Sequence, residues 1–296
     1  MLDRTRVAAL AAAVLALHVL AWSLYAGYAR GDAKLAGLGL VAYALGLRHA
    51  FDVDHLAAID NATRNLAGRG RSSTGVGFFF SLGHSLVVVG LVALIVGVGL
   101  PASTLGRLGG GIGTAVSAGF LLLIGLLNLG VLLSRDGGGS GGALTRLGLS
   151  RLFRFVGRSW HALPIGSLFA LGFDTASEIA LLALAAGASG GLPFLGALVL
   201  PLLFTAGMVL LDTADGVLMA AAYGWATTNP GLRMRTNLAL TALSVTVAFA
   251  VGLYEITRVG SPTVLYGMLA LLTGGAAVVV LRARPLEKPQ PSRSAG

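Results

Sequence analysis

The segment Arg48-His49-Ala50-Phe51-Asp52-Val53-Asp54-His55 puts two imidazoles, two carboxylates and a guanidinium within eight residues, inside a stretch otherwise apolar enough to span a membrane. On insertion scales an Asp, Lys or Arg at the centre of a membrane helix costs roughly 2.5–3.5 kcal/mol. Such groups persist in hydrocarbon only where they pair, line a water-filled path or hold an ion. Imidazole plus carboxylate, without sulfur, is the donor set of a borderline divalent transition metal. The segment is therefore expected to handle such an ion. A cluster that only pins helices together is the alternative, and five ionisable groups so close make it the weaker one.

Spacing leaves the ligand geometry open. On a straight helix turning about 100° per residue, Asp54 lies about 140° from His49, and His55 about 120° from it the other way. Those three cannot face one ion, whereas His49, Asp52 and His55, three apart, share a stripe. Either the helix unwinds here, or His49 and His55 bind while Asp52 and Asp54 take other roles. A break is the favoured reading, because Gly46 lies just upstream and unwound backbone is tolerated where it lines a cavity.

Further polar groups lie in other apolar runs. His84, after Gly83, is a candidate ligand from a second helix, which the coordination shell needs. Asp174 and Glu178 are an i, i+4 pair, and Asp212 and Asp215 an i, i+3 pair, each sharing one helix face. These carboxylates suggest a proton or cation path, direct ligation or pairing with Arg48. His18 reads equally as an access ligand or a helix-packing histidine. Phe51 is a candidate for shaping the cavity. His161 beside Trp160 reads as interfacial, Asp60, Asn61 and Arg64 as a helix-end network, and Glu255 as solvated.

The elements that must position these groups follow from composition. The 296 residues are 55% hydrophobic and 11% charged, with mean hydropathy +0.84 and 44 glycines. A soluble domain carries about a quarter charged residues, so the class is an all-α polytopic membrane protein. Without cysteine there is no disulfide or thiolate ligand. Eight apolar runs reach the roughly 20 residues a span needs: Val7–Tyr28, Leu35–Asn61, Gly75–Leu100, Gly109–Leu133, Ala162–Ala186, Phe194–Trp225, Asn237–Leu253 and Thr263–Leu281. The second and sixth are over-long and interrupted by polar residues, as tilted or broken helices are.

With the N-terminus inside, the alternating loops place sixteen of the 21 Lys and Arg in cytoplasmic segments and four outside, with Arg48 intramembrane. The positive-inside bias thus puts both ends in the cytoplasm, and explains the formal charge of +9 better than nucleic acid does. The first run exceeds the usual 7–15 residues of a signal h-region and is expected to be a retained helix. Residues 1–133 form one four-helix half and 162–281 the other. They are joined by a basic cytoplasmic loop, 134–161, with a Gly137–Gly142 linker and an amphipathic segment near Leu147–Phe155. The Pro-containing tail 282–296 is expected to be disordered.

A weak internal repeat pairs Phe51-Asp52 with Phe173-Asp174, and Phe80-Ser81-Leu82-Gly83 with Phe204-Thr205-Ala206-Gly207. By the charge count spans two and five run in opposite directions. The repeat would then be inverted and relate spans two to four with five to seven, a recurring transporter plan with its site at the repeat interface.

Four segments in order resemble the nickel/cobalt transporter family of bacterial permeases. They are Arg48 through Asn61, Phe79-Phe80-Ser81-Leu82-Gly83-His84-Ser85, Leu171 through Glu178, and Leu203 through Met208 to Asp212-Thr213-Ala214-Asp215-Gly216 and Tyr223-Gly224-Trp225. Val53 and Ser177 depart from the common pattern conservatively. The resemblance implies eight spans, cytoplasmic ends and high-affinity uptake of Ni²⁺ and/or Co²⁺, with His49, Asp54 and His55 central. The expected function is a secondary transporter in the bacterial cytoplasmic membrane, with the metal ion as substrate and no permanently bound cofactor. Its partners are the ion and membrane lipid, not nucleic acid. The ligands would be His49, Asp54, His55 and His84. His18, Arg48, Asp52, Asp174, Glu178, Asp212 and Asp215 would add ligation, a proton path or charge compensation.

Donor chemistry alone also admits Zn²⁺, Cu²⁺ and Mn²⁺. A related efflux permease is one rival, against which the central loop has no histidine-rich tract. An intramembrane metallohydrolase is another, but His-Glu-x-x-His is absent, and no Walker motif suggests ATP hydrolysis. A membrane subunit of a larger uptake complex is a third, which eight spans with a full set of charges argue against.

Overall fold

The structure, a computed structural model, describes residues 3–30, 33–98, 157–171 and 194–226. It also describes helical positions 118, 119, 122, 125, 126, 129, 179, 242, 245, 246, 249, 250, 252 and 253. Among the described residues there is no β-strand, and the fold is all-helical. The helices are α1 (Arg4–Ala29), α2 (Ala33–His49), α3 (Val53–Gly68), α4 (Val76–Val98), α5 (Ala162–Phe169, entered through a 3₁₀ turn at Ser159–His161), α6 (Phe194–Ala197) and α7 (Val199–Ala226). The central linker, the amphipathic segment and the tail lie outside the described residues, as do spans four, seven and eight apart from those scattered positions.

Among the described residues, three helical stretches are long and apolar enough to cross a membrane: Arg4–Ala29, Val76–Val98 and Phe194–Gly224. In α1, Asp3 caps the first turn by accepting the N–H groups of Thr5 and Arg6. Only Val14 and Ala21 of that helix are buried, and Leu15, Val19 and Leu20 face outward, as suits a helix with lipid on one side. The over-long sixth run is interrupted at Leu198, between α6 and α7. Pro201 accounts for this, since it has no N–H to return to the carbonyl of Ala197.

The second run is broken where its polar residues lie. The N–H groups of Phe51 and Asp52 turn back on the carbonyls of Arg48 and His49, a tightened i→i+3 pattern, and Asp52 is extended at φ −64°, ψ 140° before α3 begins. Neither half is long enough to span alone.

The described bundle is organised around α7, which packs against α1, α2, α3 and α4, while α4 also packs against α5. One apolar core gathers Ala42, Ala50, Val88, Val92, Leu203, Phe204 and Met208; a second gathers Ile59, Leu66, Val76, Phe80 and Phe169. Glycines let the backbones touch at three crossings. A Cβ on Gly46 would strike the carbonyl of Phe204, and one on Gly207 would meet Tyr43 and Leu47. A Cβ on Gly166 would strike the carbonyl of Phe80, and one on Gly83 that of Leu163. Gly77 meets the Asp212 carbonyl and Gly216. Such close approach is the use small residues have between membrane helices.

Candidate metal site

The break between α2 and α3 brings His49 and His55 around to the same point, and α4 presents His84 opposite them. Ring centroids are 4.6 Å apart for His49 and His55, 4.9 Å for His49 and His84, and 4.7 Å for His55 and His84. The three can each offer a ligand atom with all such atoms within 4.8 Å of one another, and all three side chains are buried. On a continuous helix His49 and His55 would sit at the two edges of one stripe, about 120° and nearly two turns apart.

Each imidazole has a distinct second contact. Nε2 of His49 lies 3.2 Å from Nε2 of His84. Two such nitrogens facing each other must share either a proton or an ion. Metal–nitrogen bonds of about 2.0–2.1 Å in a tetrahedron separate two donors by roughly 3.3 Å, so the spacing suits one ion. Nδ1 of His49 is 3.0 Å from Oδ2 of Asp52, within ion-pair range although the ring N–H is not aimed for a hydrogen bond. Nδ1 of His55 donates to Oδ2 of Asp212 at 3.1 Å, with both residues fully buried. A carboxylate at Nδ1 holds the proton there and leaves the Nε2 lone pair for a metal. Nε2 of His55 has no hydrogen-bond partner among the described residues. Buried, unpaired nitrogen lone pairs are costly in an empty protein interior and are what a cation requires.

The walls are aromatic. Phe80 meets the His55 ring at 4.8 Å and Phe204 the His49 ring at 5.4 Å, while Phe169 backs Phe80 at 5.5 Å. Glycines set this geometry: Gly83 precedes His84 at the α4–α5 crossing, where Ser167 donates its hydroxyl to the Gly83 carbonyl, and Gly46 lies one turn before His49 at the α2–α7 crossing.

The remaining expected residues fall elsewhere. Asp54 is not in the histidine cluster; its Oδ1 accepts the backbone N–H of His55 in the first turn of α3. Asp52 sits beside His49 instead. Arg48 pairs with Asp52 at 3.5 Å, with a side chain 62% exposed. His18 donates from Nδ1 to the Val14 carbonyl, and its Nε2 lies 3.2 Å from the Tyr43 hydroxyl, so both nitrogens are engaged in helix packing. Asp212 reaches the site through His55, and Asp215 lies one turn further along α7. Asp174 and Glu178 lie outside the described residues.

Phe51, expected to shape the cavity, is 64% exposed, because the tightened turn after Arg48 shifts its direction; Phe80 and Phe204 form the walls. The helix-end network expected at Asp60 and Arg64 forms and extends to a distant partner, and a second link joins the α3–α4 turn to the start of α5. The Tyr223 hydroxyl donates to Oδ1 of Asp60 at 2.6 Å, and Arg64 to Oδ2 of Asp60 at 3.0 Å, joining α3 to α7 across 163 residues of chain. At the other side of α3, Arg71 donates to the Gly157 carbonyl at 2.6 Å and Ser159 to the Ser72 carbonyl at 3.0 Å, which fastens the start of α5 to the α3–α4 turn.

Comparison with known proteins gives the family. Residues 35–137 and 139–261 match the family NicO, described as high-affinity nickel-transport protein. The nickel transporter NicT of Mycobacterium tuberculosis is 47% identical over 83% of this chain and 75% of its own length. The nickel transporter NixA of Staphylococcus aureus is 44% identical over 84% and 80%, and the cobalt transport protein NhlF of Rhodococcus rhodochrous 43% over 85% and 80%. No solved structure matches the chain. With membrane-spanning helices, a buried histidine cluster and a family match over most of its length, the chain belongs to the nickel/cobalt transporter family of multi-pass membrane permeases.

Proposed function

We propose that this protein imports Ni²⁺ and/or Co²⁺ across the bacterial cytoplasmic membrane as a secondary transporter, with His49, His55 and His84 replacing the ion's water shell. One observation carries the reading: three buried imidazoles from α2, α3 and α4 converge with their ligand atoms within 4.8 Å. Asp54 serves the same ion by ordering the first turn that presents His55 and by adding negative charge. Asp212 holds the proton of His55 on Nδ1, and the charge of Asp52 beside Nδ1 of His49 favours a proton there. The relatives named as nickel and cobalt transporters support these two ions over the others that imidazole accepts.

In this reading both termini are cytoplasmic and eight spans form two four-helix halves, 1–133 and 162–281, joined by the loop 134–161 and followed by the tail 282–296. The inverted repeat is supported by paired contacts. Gly46 stands to the carbonyl of Phe204 as Gly166 stands to that of Phe80, and Gly207 stands to Tyr43 as Gly83 to Leu163. The ring contact of His49 with Phe204 has its counterpart in Phe169 with Phe80. Under that equivalence Met208 occupies the position of His84 and Phe169 that of His49, so only one half carries nitrogen donors. The hydrated ion enters from outside between spans two, five and six, and rocking of the halves then exposes the site inward. Asp174 and Glu178 compensate charge or carry protons along that path.

The test is uptake of radiolabelled Ni²⁺ and Co²⁺ by cells lacking their own transporters. His84→Ala is expected to lower it about 10–100-fold, the range for a disrupted metal shell. Undiminished uptake would remove the histidine site, and metal loss from preloaded cells on expression would make the protein an exporter.

A further inference from the structure

Beyond the histidines, on the side of the α3–α7 contact that the positive-inside bias assigns to the cytoplasm, lies a second set of polar side chains. Asp212 and Asp215 are one turn apart on α7 and share a face. Asp212 is fully buried; Oδ2 is taken by His55, while Oδ1 has no partner among the described residues. Asp215 also has a buried oxygen, Oδ2, without a partner, and lies within electrostatic reach of Asp212 and Asp60. On the facing helix α3, Thr63 lies three residues beyond Asp60, fully buried, with an Oγ1 that makes no hydrogen bond among the described residues. Ile59, one turn before Thr63, faces Gly216 of α7, so this face of α3 looks onto the carboxylates.

We propose that Asp212, Asp215 and Asp60, with Thr63, form a second station for the dication, built of oxygen donors, through which it leaves the histidines toward the cytoplasm. This rests on the import reading above. A buried carboxylate oxygen without a partner carries an uncompensated desolvation cost, which a passing cation removes. Three imidazoles hold Ni²⁺ or Co²⁺ firmly, and an ion leaves such a site only if a neighbouring one competes for it; conduction needs binding that is divided among sites. Oxygen donors hold these ions less tightly than imidazole does, which suits the later stop. Asp212 belongs to both stations, orienting His55 with one oxygen and offering the other to the ion. Three carboxylates with Arg64 carry two net negative charges, which one dication neutralises.

Tyr223 makes the station conditional. Its hydroxyl occupies Oδ1 of Asp60 and ties α3 to α7 at their inner ends. An ion reaching Asp60 displaces that hydroxyl, so loading the station also loosens the contact that closes it inward.

Calorimetric titration of the purified full-length protein with Ni²⁺ tests this. The unaltered protein is expected to bind in two steps. Asp215→Asn is expected to lose the weaker step alone, the retained tight step reporting an intact fold. In proteoliposomes it is expected to slow uptake at saturating Ni²⁺ about tenfold with half-saturation unchanged. Tyr223→Phe is expected to strengthen the weaker step, since Asp60 is freed. A single step in the unaltered protein, or Asp215→Asn that keeps both steps or loses both, overturns the second station. His84→Ala is expected to lose only the tight step; if it keeps both, the histidine reading falls and this proposal does not.

Discussion

Asp52 shows how much of the site depends on one oxygen. Its Oδ2 lies 3.0 Å from Nδ1 of His49, while Arg48 approaches its Oδ1 at 3.5 Å. The carboxylate therefore biases the His49 proton toward Nδ1 and leaves a lone pair on Nε2, which faces Nε2 of His84 at 3.2 Å. Asp52→Asn keeps the size and removes the charge. Ni²⁺ affinity of the purified variant is expected to fall about tenfold with thermal stability unchanged. Equal affinity would mean that the His49 tautomer is set by something other than Asp52. The residue types at this site were legible in the sequence, because ionisable groups survive in an apolar run only where they pair, meet water or bind an ion. Their partners were not: His55 with Asp212 and Asp60 with Tyr223 join residues more than 150 positions apart, and no spacing rule connects them.

At the scale of elements, the glycine crossings decide where the histidines sit. Gly46 is three residues before His49 and lies against the Phe204 backbone, so α2 cannot rise or rotate on α7 without losing the contact. Gly46→Ala is expected to cost about 1–3 kcal/mol through overpacking and to displace His49. The measurement is thermal unfolding in detergent together with Ni²⁺ binding. Gly90, also in a helix, has nothing within 4 Å of where a Cβ would stand. Gly90→Ala is expected to be neutral or to stabilise by up to about 1 kcal/mol, since only helix propensity changes. Equal behaviour of the two variants would show that the α2–α7 crossing is loose. The break after His49 was expected from the angular conflict among His49, Asp54 and His55. That the break would favour Asp52 over Asp54 as the neighbour of His49 depended on where the helix restarts, which propensity does not set to within one residue.

For the whole molecule, import of a dication is electrogenic unless another ion balances it. Each 100 mV of potential, negative inside, contributes about 4.6 kcal/mol to a double charge, twice the per-charge value. Proteoliposomes given an inside-negative potassium diffusion potential are expected to take up Ni²⁺ faster than those at zero potential, and slower when the gradient is reversed. Rates independent of the potential would require an obligatory counter-ion. The described bundle fits a rocking motion. α7 contacts α1, α2, α3 and α4, and its C-terminal end is tied to α3 by the Tyr223–Asp60 bond, so a shift of α7 is transmitted to the helices around it.

The sequence by itself determined the class and the family, and singled out the histidines that cluster. Apolar runs of membrane length and buried charge are one-dimensional signals, written wherever they occur along the chain. Only the tertiary structure decided that His49, His55 and His84 share one point, that His18 is spent on Tyr43, and that Phe80 and Phe204 rather than Phe51 wall the site. Those outcomes follow from which helices touch and at what rotation. The backbone approach permitted by glycine fixes both, and that approach is a property of pairs of helices rather than of any one segment.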